Sequence, residues 1–444
     1  MRRILILAFV FTLSFSHLQA RVLSVSNIAP GFEIGAEAVY LFNLDTDSLI
    51  WERNSGQPMY PASLTKMMTT IIAMENTADL DSEMVLFPNH IQDHLFNFQQ
   101  IHGSISLGGM IAGDEFSMRD MIFAMMLPSA NEAAMSVAHH IGGSQEDFVE
   151  MMNQRARQLG ATNTNFVNAT GLYDPNHIST ARDIFIITKH AMGLDGFAEI
   201  ASTIVHEASP ANRERNLVWN TTNHMMIPAN RYFYPHLSGI KTGTLPQAGR
   251  CFVSTATRDG FTYILVVMGS PFIDMTENAA FYDTRNIYEW VFNTFRRRAL
   301  VEQGRYVTEI PLRLSMDRDH LQLMTAERVT ALMPAGIDIA SIDRAFDLPD
   351  RIDAPVTRGE HIGTMTMLLD GEELGRVDLL AGESISANPL LVILDRVREV
   401  VGSFWFRFTV IFILLLILAY AALMIRKNKQ RRRRPPTYKP RRRV

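Results

Sequence analysis

The chain has 444 residues, 47% of them apolar and 9% aromatic, with 42 basic and 46 acidic side chains for a formal charge of −4. That composition is globular, which excludes a disordered or collagen-like chain, and the length accommodates two domains with further segments. A single cysteine, Cys251, excludes any intramolecular disulfide.

Met1-Arg2-Arg3, the apolar run Ile4 to Phe15 and then Ser16 to Ala20 read as a secretory signal peptide cleaved after Ala20. The run is too short to cross a bilayer. Ala36 to Phe42 is strand-like, Asp45-Thr46-Asp47 makes a turn, and Ser48 to Glu52 returns as the partner strand. Pro61-Ala62-Ser63-Leu64-Thr65-Lys66 then opens a helix that apolar spacing carries through Met74. Ser63 falls in its first turn, and Lys66 shares its face. A serine hydroxyl is a weak nucleophile until an adjacent base takes its proton. A lysine is such a base only where burial or a second cation keeps its amine neutral. Alone, this S-x-x-K spacing is weak evidence, since a surface serine and lysine on one helix produce it far more often.

A mixed stretch follows to Gly113, with a short hairpin or loop at Gly103 to Gly109. Ser117 N-caps a helix that ends at Leu127-Pro128, where proline cannot continue it. Ser129-Ala130-Asn131 occupies the turn before the next helix, Glu132 to Ile141, a place from which side chains point into a cleft. Asp147 to Leu159 is helical and closes on Gly160. Asn163 to Gly171 is polar and turn-rich, and Ser179 to Asp183 opens another helix. Lys241-Thr242-Gly243-Thr244 lies on a strand-like segment. Cys251 to Ala256 and Phe261 to Gly269 are consecutive strands across an Arg258-Asp259-Gly260 turn. A helix from Asn278 to Arg296 completes this part. Strands, a block of helices, strands and a helix predict an antiparallel sheet covered by helices, with a helical insertion.

From Leu300 to Asn388 the pattern changes to short alternating runs broken by Gly, Pro and Asp, a small β-rich domain. Leu390 to Val401 is an amphipathic helix. Phe408 to Ile425 is apolar and long enough to cross a membrane, with Trp405 and Tyr420 placed as interfacial aromatics. Residues 426–444 hold 11 basic side chains and no acid. The positive-inside rule assigns that tail to the cytoplasm and everything before Phe404 to the other side. The rest of the chain has 31 basic and 46 acidic residues, a formal charge of −15, which gives no support for nucleic-acid binding. No paired-cysteine or H-E-x-x-H spacing points to a metal, and His90, His94 and His102 read as loop or surface histidines.

S-x-x-K at Ser63 and Lys66, S-x-N at Ser129 and Asn131, and K-T-G at Lys241, Thr242 and Gly243 occur in the order found in penicillin-binding proteins and serine β-lactamases. From Ala36 to about Leu380 the chain resembles a low-molecular-mass penicillin-binding protein of the D-alanyl-D-alanine carboxypeptidase family. The resemblance implies an α+β fold: a β-lactamase/DD-peptidase-like antiparallel sheet flanked by helices, with a helical subdomain. A small β-rich domain and one C-terminal transmembrane helix follow. The segments are then 1–20 (signal peptide), 21–299 (catalytic domain), 300–388 (β-rich domain), 389–403 (amphipathic helix), 404–425 (transmembrane helix) and 426–444 (cytoplasmic tail).

The resemblance also implies roles. Ser63 is the nucleophile that forms an acyl-enzyme, Lys66 its general base and Ser129 a proton relay to the leaving amine. Asn131 holds the substrate amide and orients Lys66. Lys241, Thr242, Gly243 and Thr244 form the substrate-binding strand for the terminal carboxylate, and the N–H groups of Ser63 and Thr244 form the oxyanion hole. Family members with an arginine before the final helix use it on that carboxylate. Here Asp274 to Glu277 occupy the region, which leaves Lys241 and Arg250. The implied substrate is a peptidoglycan stem peptide ending in D-Ala-D-Ala, with β-lactams as covalent inhibitors and neither cofactor nor metal. Alternatives on the same scaffold are a DD-endopeptidase, a serine β-lactamase, or a non-catalytic scaffold that binds the wall. No E-x-x-L-N segment supports the β-lactamase.

Overall fold

The computed structural model describes residues 29–103, 105–272 and 276–432. The expected signal peptide, the end of the basic tail and Asp274-Met275 lie outside the described residues. Two compact units form. The first comprises residues up to Leu300 with Thr330–Asp343 and Met367–Gly375; the second comprises Val301–Val329, Arg344–Thr366 and the chain from Arg376.

In the first unit, β1 (Ala38–Asn43) and β2 (Ser48–Arg53) lead through a 3-10 turn, Ala62–Thr65, into α1 (Lys66–Asn76). A helical block follows: α2 (Asn89–His102), α3 (Met118–Met126), α4 (Asn131–Gly142), α5 (Gln145–Leu159), α6 (Ala181–Ala191) and α7 (Phe197–Ser202). Two small antiparallel pairs accompany it, β3 (Met84–Leu86) with β4 (Glu115–Ser117), and β5 (Val205–Ala208) with β6 (Leu217–Asn220). The chain then returns to the sheet with β7 (Leu237–Leu245), β8 (Gly249–Arg258) and β9 (Phe261–Ser270), and ends in α8 (Ala279–Thr294). The sheet order is β2-β1-β9-β8-β7, antiparallel throughout, which leaves β7 at an edge.

Period-two alternation divides the strands between two cores. Tyr40, Phe42, Val253, Ile264 and Val266 pack with Met67, Met68, Ile71 and the helical block. Val39, Leu41, Phe252, Leu265 and Val267 pack with Tyr288, Val291 and Phe292 of α8. Both faces are covered, so Ile264 to Met268 reads as one apolar run rather than an alternating one. The serine helix runs through the middle of the first core. Every residue of α1 from Lys66 to Ala73 except Ile72 is under 1% exposed.

The stretch expected to be mixed holds a 14-residue helix, α2. Among the described side chains of that helix only Ile91 and Leu95 are buried, while Phe96 and Ile101 face outward, so the apolar periodicity that would announce it is weak.

Past α8, β10 (Phe295–Val301) pairs with β13 (Val329–Pro334). A six-stranded sheet has the order β14-β16-β17-β12-β11-β15, from β11 (Tyr306–Arg313), β12 (His320–Thr325), β14 (Asp343–Asp347), β15 (Ile352–Asp353), β16 (His361–Leu369) and β17 (Glu372–Ala381). Asn388 caps α9 (Pro389–Gly402) by accepting from the N–H groups of Leu390 and Leu391, and α10 (Phe404–Arg432) follows. Within Phe404–Lys429 the most apolar 18 residues have a mean hydropathy of 2.9 and none of them is buried, and this is the one described helix long and apolar enough to span a membrane.

Candidate active site

Ser63 lies in the 3-10 turn rather than in the α-helix proper, and Lys66 is the first residue of α1. In a 3-10 turn residues three apart eclipse one another. That places Lys66 Nζ 3.2 Å from Ser63 Oγ. The same amine donates to Asn131 Oδ1 at 2.8 Å and to the Thr170 carbonyl at 2.7 Å. Asn131 opens α4, so the S-x-N turn delivers it to Lys66 at the start of a buried helix.

The carbonyl of Thr170 is a partner that sequence reasoning did not single out. Asn168 builds its turn: Oδ1 accepts from the N–H groups of Thr170 and Gly171 and from Thr170 Oγ1, while Nδ2 donates to Leu172 O. Gly171 has φ +83°, and a Cβ there would sit 1.9 Å from the Ala62 carbonyl oxygen. The polar segment 163–171 is therefore pressed against the serine turn. His177 braces it: Nδ1 accepts from the Val167 N–H at 3.0 Å, so the proton is on Nε2, which meets Thr65 Oγ1 at 2.8 Å. Burial lowers the His177 pKa to about 4, so the ring is neutral.

Strand β7 supplies the opposite wall. A Cβ on Gly243 would stand 3.1 Å from Pro61 O and 3.3 Å from Ser63 N, so glycine lets the strand edge close onto the serine turn. Lys241 is 1% exposed, and its amine donates to its neighbour's carbonyl, Thr242 O, at 3.1 Å. Burial lowers its pKa to about 7. Burial also holds Lys66 well below the ordinary lysine range; the charge of Lys241 acts in the same direction and Glu132 opposes it.

These elements enclose a cavity of ≈ 340 Å³ onto which Ser63, Ser129, Thr242 and Thr244 open. Lys66 and Lys241 are not among its lining residues; they stand behind that wall. Ser129 has φ +66°, its Oγ is buried, and that oxygen has no hydrogen-bond partner among the described residues. Thr242 Oγ1 meets Thr222 Oγ1 at 2.6 Å. Arg250, opposite Thr244 across β7 and β8, also lines the cavity, with its guanidinium 5.0 Å from the Phe272 ring centroid. Thr222, His224, Tyr232 and Glu277 are among its other lining residues. Among the described residues no group of three or more potential ligands is placed to hold a metal.

A hydroxyl beside a buried amine, a second serine lining the same cavity and cations behind and beside them suit acyl transfer to serine on an anionic substrate. A profile of the D-alanyl-D-alanine carboxypeptidase family (peptidase S11) matches residues 24–271, and one of the penicillin-binding protein 5 C-terminal domain matches residues 295–387. The chain is 26% identical to D-alanyl-D-alanine carboxypeptidase DacF of Bacillus subtilis over 81% of this chain and 88% of that one. It is 28% identical to DacA of Haemophilus influenzae over 83% and 91%. The crystal structure of penicillin-binding protein 5 from Haemophilus influenzae superposes with a TM-score of 0.57 at 25% identity, covering 81% of this chain and 99% of that one. On the match to residues 24–271, more than half its length, the chain belongs to the D-alanyl-D-alanine carboxypeptidase family.

Proposed function

We propose that the chain removes the terminal D-alanine from peptidoglycan stem peptides through an acyl-enzyme on Ser63, and that β-lactams acylate the same oxygen. The observation that carries this is the bonding of the Lys66 amine. Two of its contacts, at 2.7 and 2.8 Å, are to the Thr170 carbonyl and to Asn131 Oδ1, oxygens that only accept. They occupy both N–H bonds of a neutral amine. The lone pair is left for the third and longer contact, 3.2 Å to a hydroxyl that can donate. Burial and the nearby Lys241 favour that neutral form.

In the first half-reaction the Ser63 proton passes to Lys66 as Oγ bonds to the carbonyl carbon between the two D-alanines. The Ser63 and Thr244 N–H groups receive the oxyanion. The carbon–nitrogen bond then breaks, and the amine leaves with a proton relayed by Ser129. In the second half-reaction water attacks the ester and restores Ser63. Thr242, Thr244, Arg250 and the charge of Lys241 hold the carboxylate of the departing residue. That choice of groups favours a substrate with a free terminal carboxylate over an internal bond.

The apolar helix α10 supports an anchor in the cell membrane, with the catalytic unit on the outer side and the basic tail in the cytoplasm. The test is D-alanine release from diacetyl-Lys-D-Ala-D-Ala. The wild-type protein is expected to release it and Ser63→Ala to release none. Wild-type protein that binds the peptide but frees no D-alanine would refute the hydrolase and leave a wall-binding scaffold.

A further inference from the structure

Glu132 follows Asn131 in the first turn of α4, yet it is 1% exposed. An acid at that helix position complements the dipole just as well from the surface, as Glu146 and Asp147 do on α5. Burying a carboxylate is costly unless its oxygens are used. One oxygen is used heavily: Oε1 accepts from the Gly108 N–H at 2.6 Å and from the Met110 N–H at 3.4 Å. The other, Oε2, has no partner among the described residues. The same loop is gripped twice more. Trp219 Nε1 donates to the Gly108 carbonyl at 2.8 Å, and the Asn131 N–H donates to the Ser106 carbonyl at 3.0 Å. A Cβ on Gly108 would meet Ala130 Cβ at 3.1 Å and Trp219 Nε1 at 3.2 Å, so the loop lies in tight contact with the S-x-N turn. Ser106, at the near end of this loop, lines the cavity.

We propose that Glu132 is a positioning residue for acyl transfer. Its carboxylate fastens the Ser106–Met110 loop to the Ser129–Asn131 turn, which fixes the wall that carries Ser106 and, through Asn131, the place of the Lys66 amine. This rests on the assignment of Ser63 and Lys66 above. A neighbour shifted by a fraction of an ångström loses the aligned contact between nucleophile and base, and a misplacement of about 1 Å costs on the order of 100-fold in rate. The ties are to backbone groups, so the function needs an acceptor oxygen at the right reach.

The test is the second-order rate of labelling by a fluorescent penicillin, measured on the full chain in detergent and divided by the fraction of protein that labels at long times. That division removes any loss of folded protein. E132A is expected to acylate about 10- to 100-fold more slowly per competent site. E132Q, which keeps an oxygen for both amides, should recover to within about fivefold of wild type. W219F, which releases the same loop from its other side, should slow labelling about 3- to 10-fold and combine with E132A less than additively. A wild-type rate per competent site in E132A, or no recovery in E132Q, overturns the proposal. Should E132A fail to fold, W219F decides: slowed labelling supports the proposal and an unchanged rate defeats it. Failure of the wild-type protein to label at all would strike the Ser63 assignment instead.

Discussion

Ser129 keeps its backbone at φ +66° with a buried hydroxyl that has no partner among the described residues, two features that a residue chosen for stability would avoid. For a residue with a Cβ the left-handed region costs about 1–2 kcal/mol, and this residue lines the cavity beside Ser63. Ser129→Gly removes the strain and the hydroxyl together. It is expected to melt no lower than wild type while losing about 100-fold or more in D-alanine release. A variant that stays active would show the hydroxyl to be dispensable.

At the same scale, Ser63, Lys66, Asn131 and Thr242 were legible in the sequence because their chemistry is in their side chains and their spacings are local. The Thr170 carbonyl was not, since every residue carries one and only the Asn168 turn aims it. Arg250 was named from the sequence as a remaining cation for the carboxylate, without a position. Its place opposite Thr244 comes from the register of β7 on β8.

Elements are placed here by close approach. The turn at Gly171 and the strand at Gly243 both meet the serine turn through glycines, and the contact at Gly171 is the tighter. Gly171→Ala brings a Cβ to 1.9 Å from Ala62 O at φ +83°. Gly160→Ala, at φ +91°, meets nothing within 4 Å. Denaturant unfolding should separate the two causes. Gly160→Ala is expected to cost about 1–2 kcal/mol, from the backbone alone. Gly171→Ala should cost about 3 kcal/mol or more, because the neighbouring turn must also move. Equal losses would mean that the segment is not held against Ser63.

The strands of the five-stranded sheet and helices α3 to α6 follow from apolar spacing, caps and the proline at 128. The half-exposed helix α2 does not, because it buries too little of itself to leave a periodic signature. Strand order in the C-terminal sheet was equally out of reach. Its pairings are non-local, and short alternating runs fix which face is inward without fixing the neighbour.

At the scale of the whole molecule, a net acidic chain carries its excess positive charge after one apolar helix. Among the described residues α10 is covered by nothing, and α9 exposes Leu390, Ile393, Leu394 and Val397. A soluble protein rarely leaves an apolar surface of this extent bare, and a membrane is the solvent that suits it. A chain ending at Ala387 is expected to fractionate with soluble protein and retain D-alanine release, while the full chain sediments with membranes until detergent is added. A full chain that remains soluble without detergent would remove the anchor.

The most direct measurement follows the mass adduct formed on Ser63 by a penicillin, with its rate constant recorded against pH. With Lys66 as the proposed base, acylation needs its amine unprotonated, and burial with the neighbouring cation lowers its pKa. The rate should therefore climb with pH and level off well below the ordinary lysine value near 10.4. An adduct on another residue, or a rate still rising through pH values where an unshifted lysine titrates, would contradict the assignment of Ser63 and Lys66 as nucleophile and base.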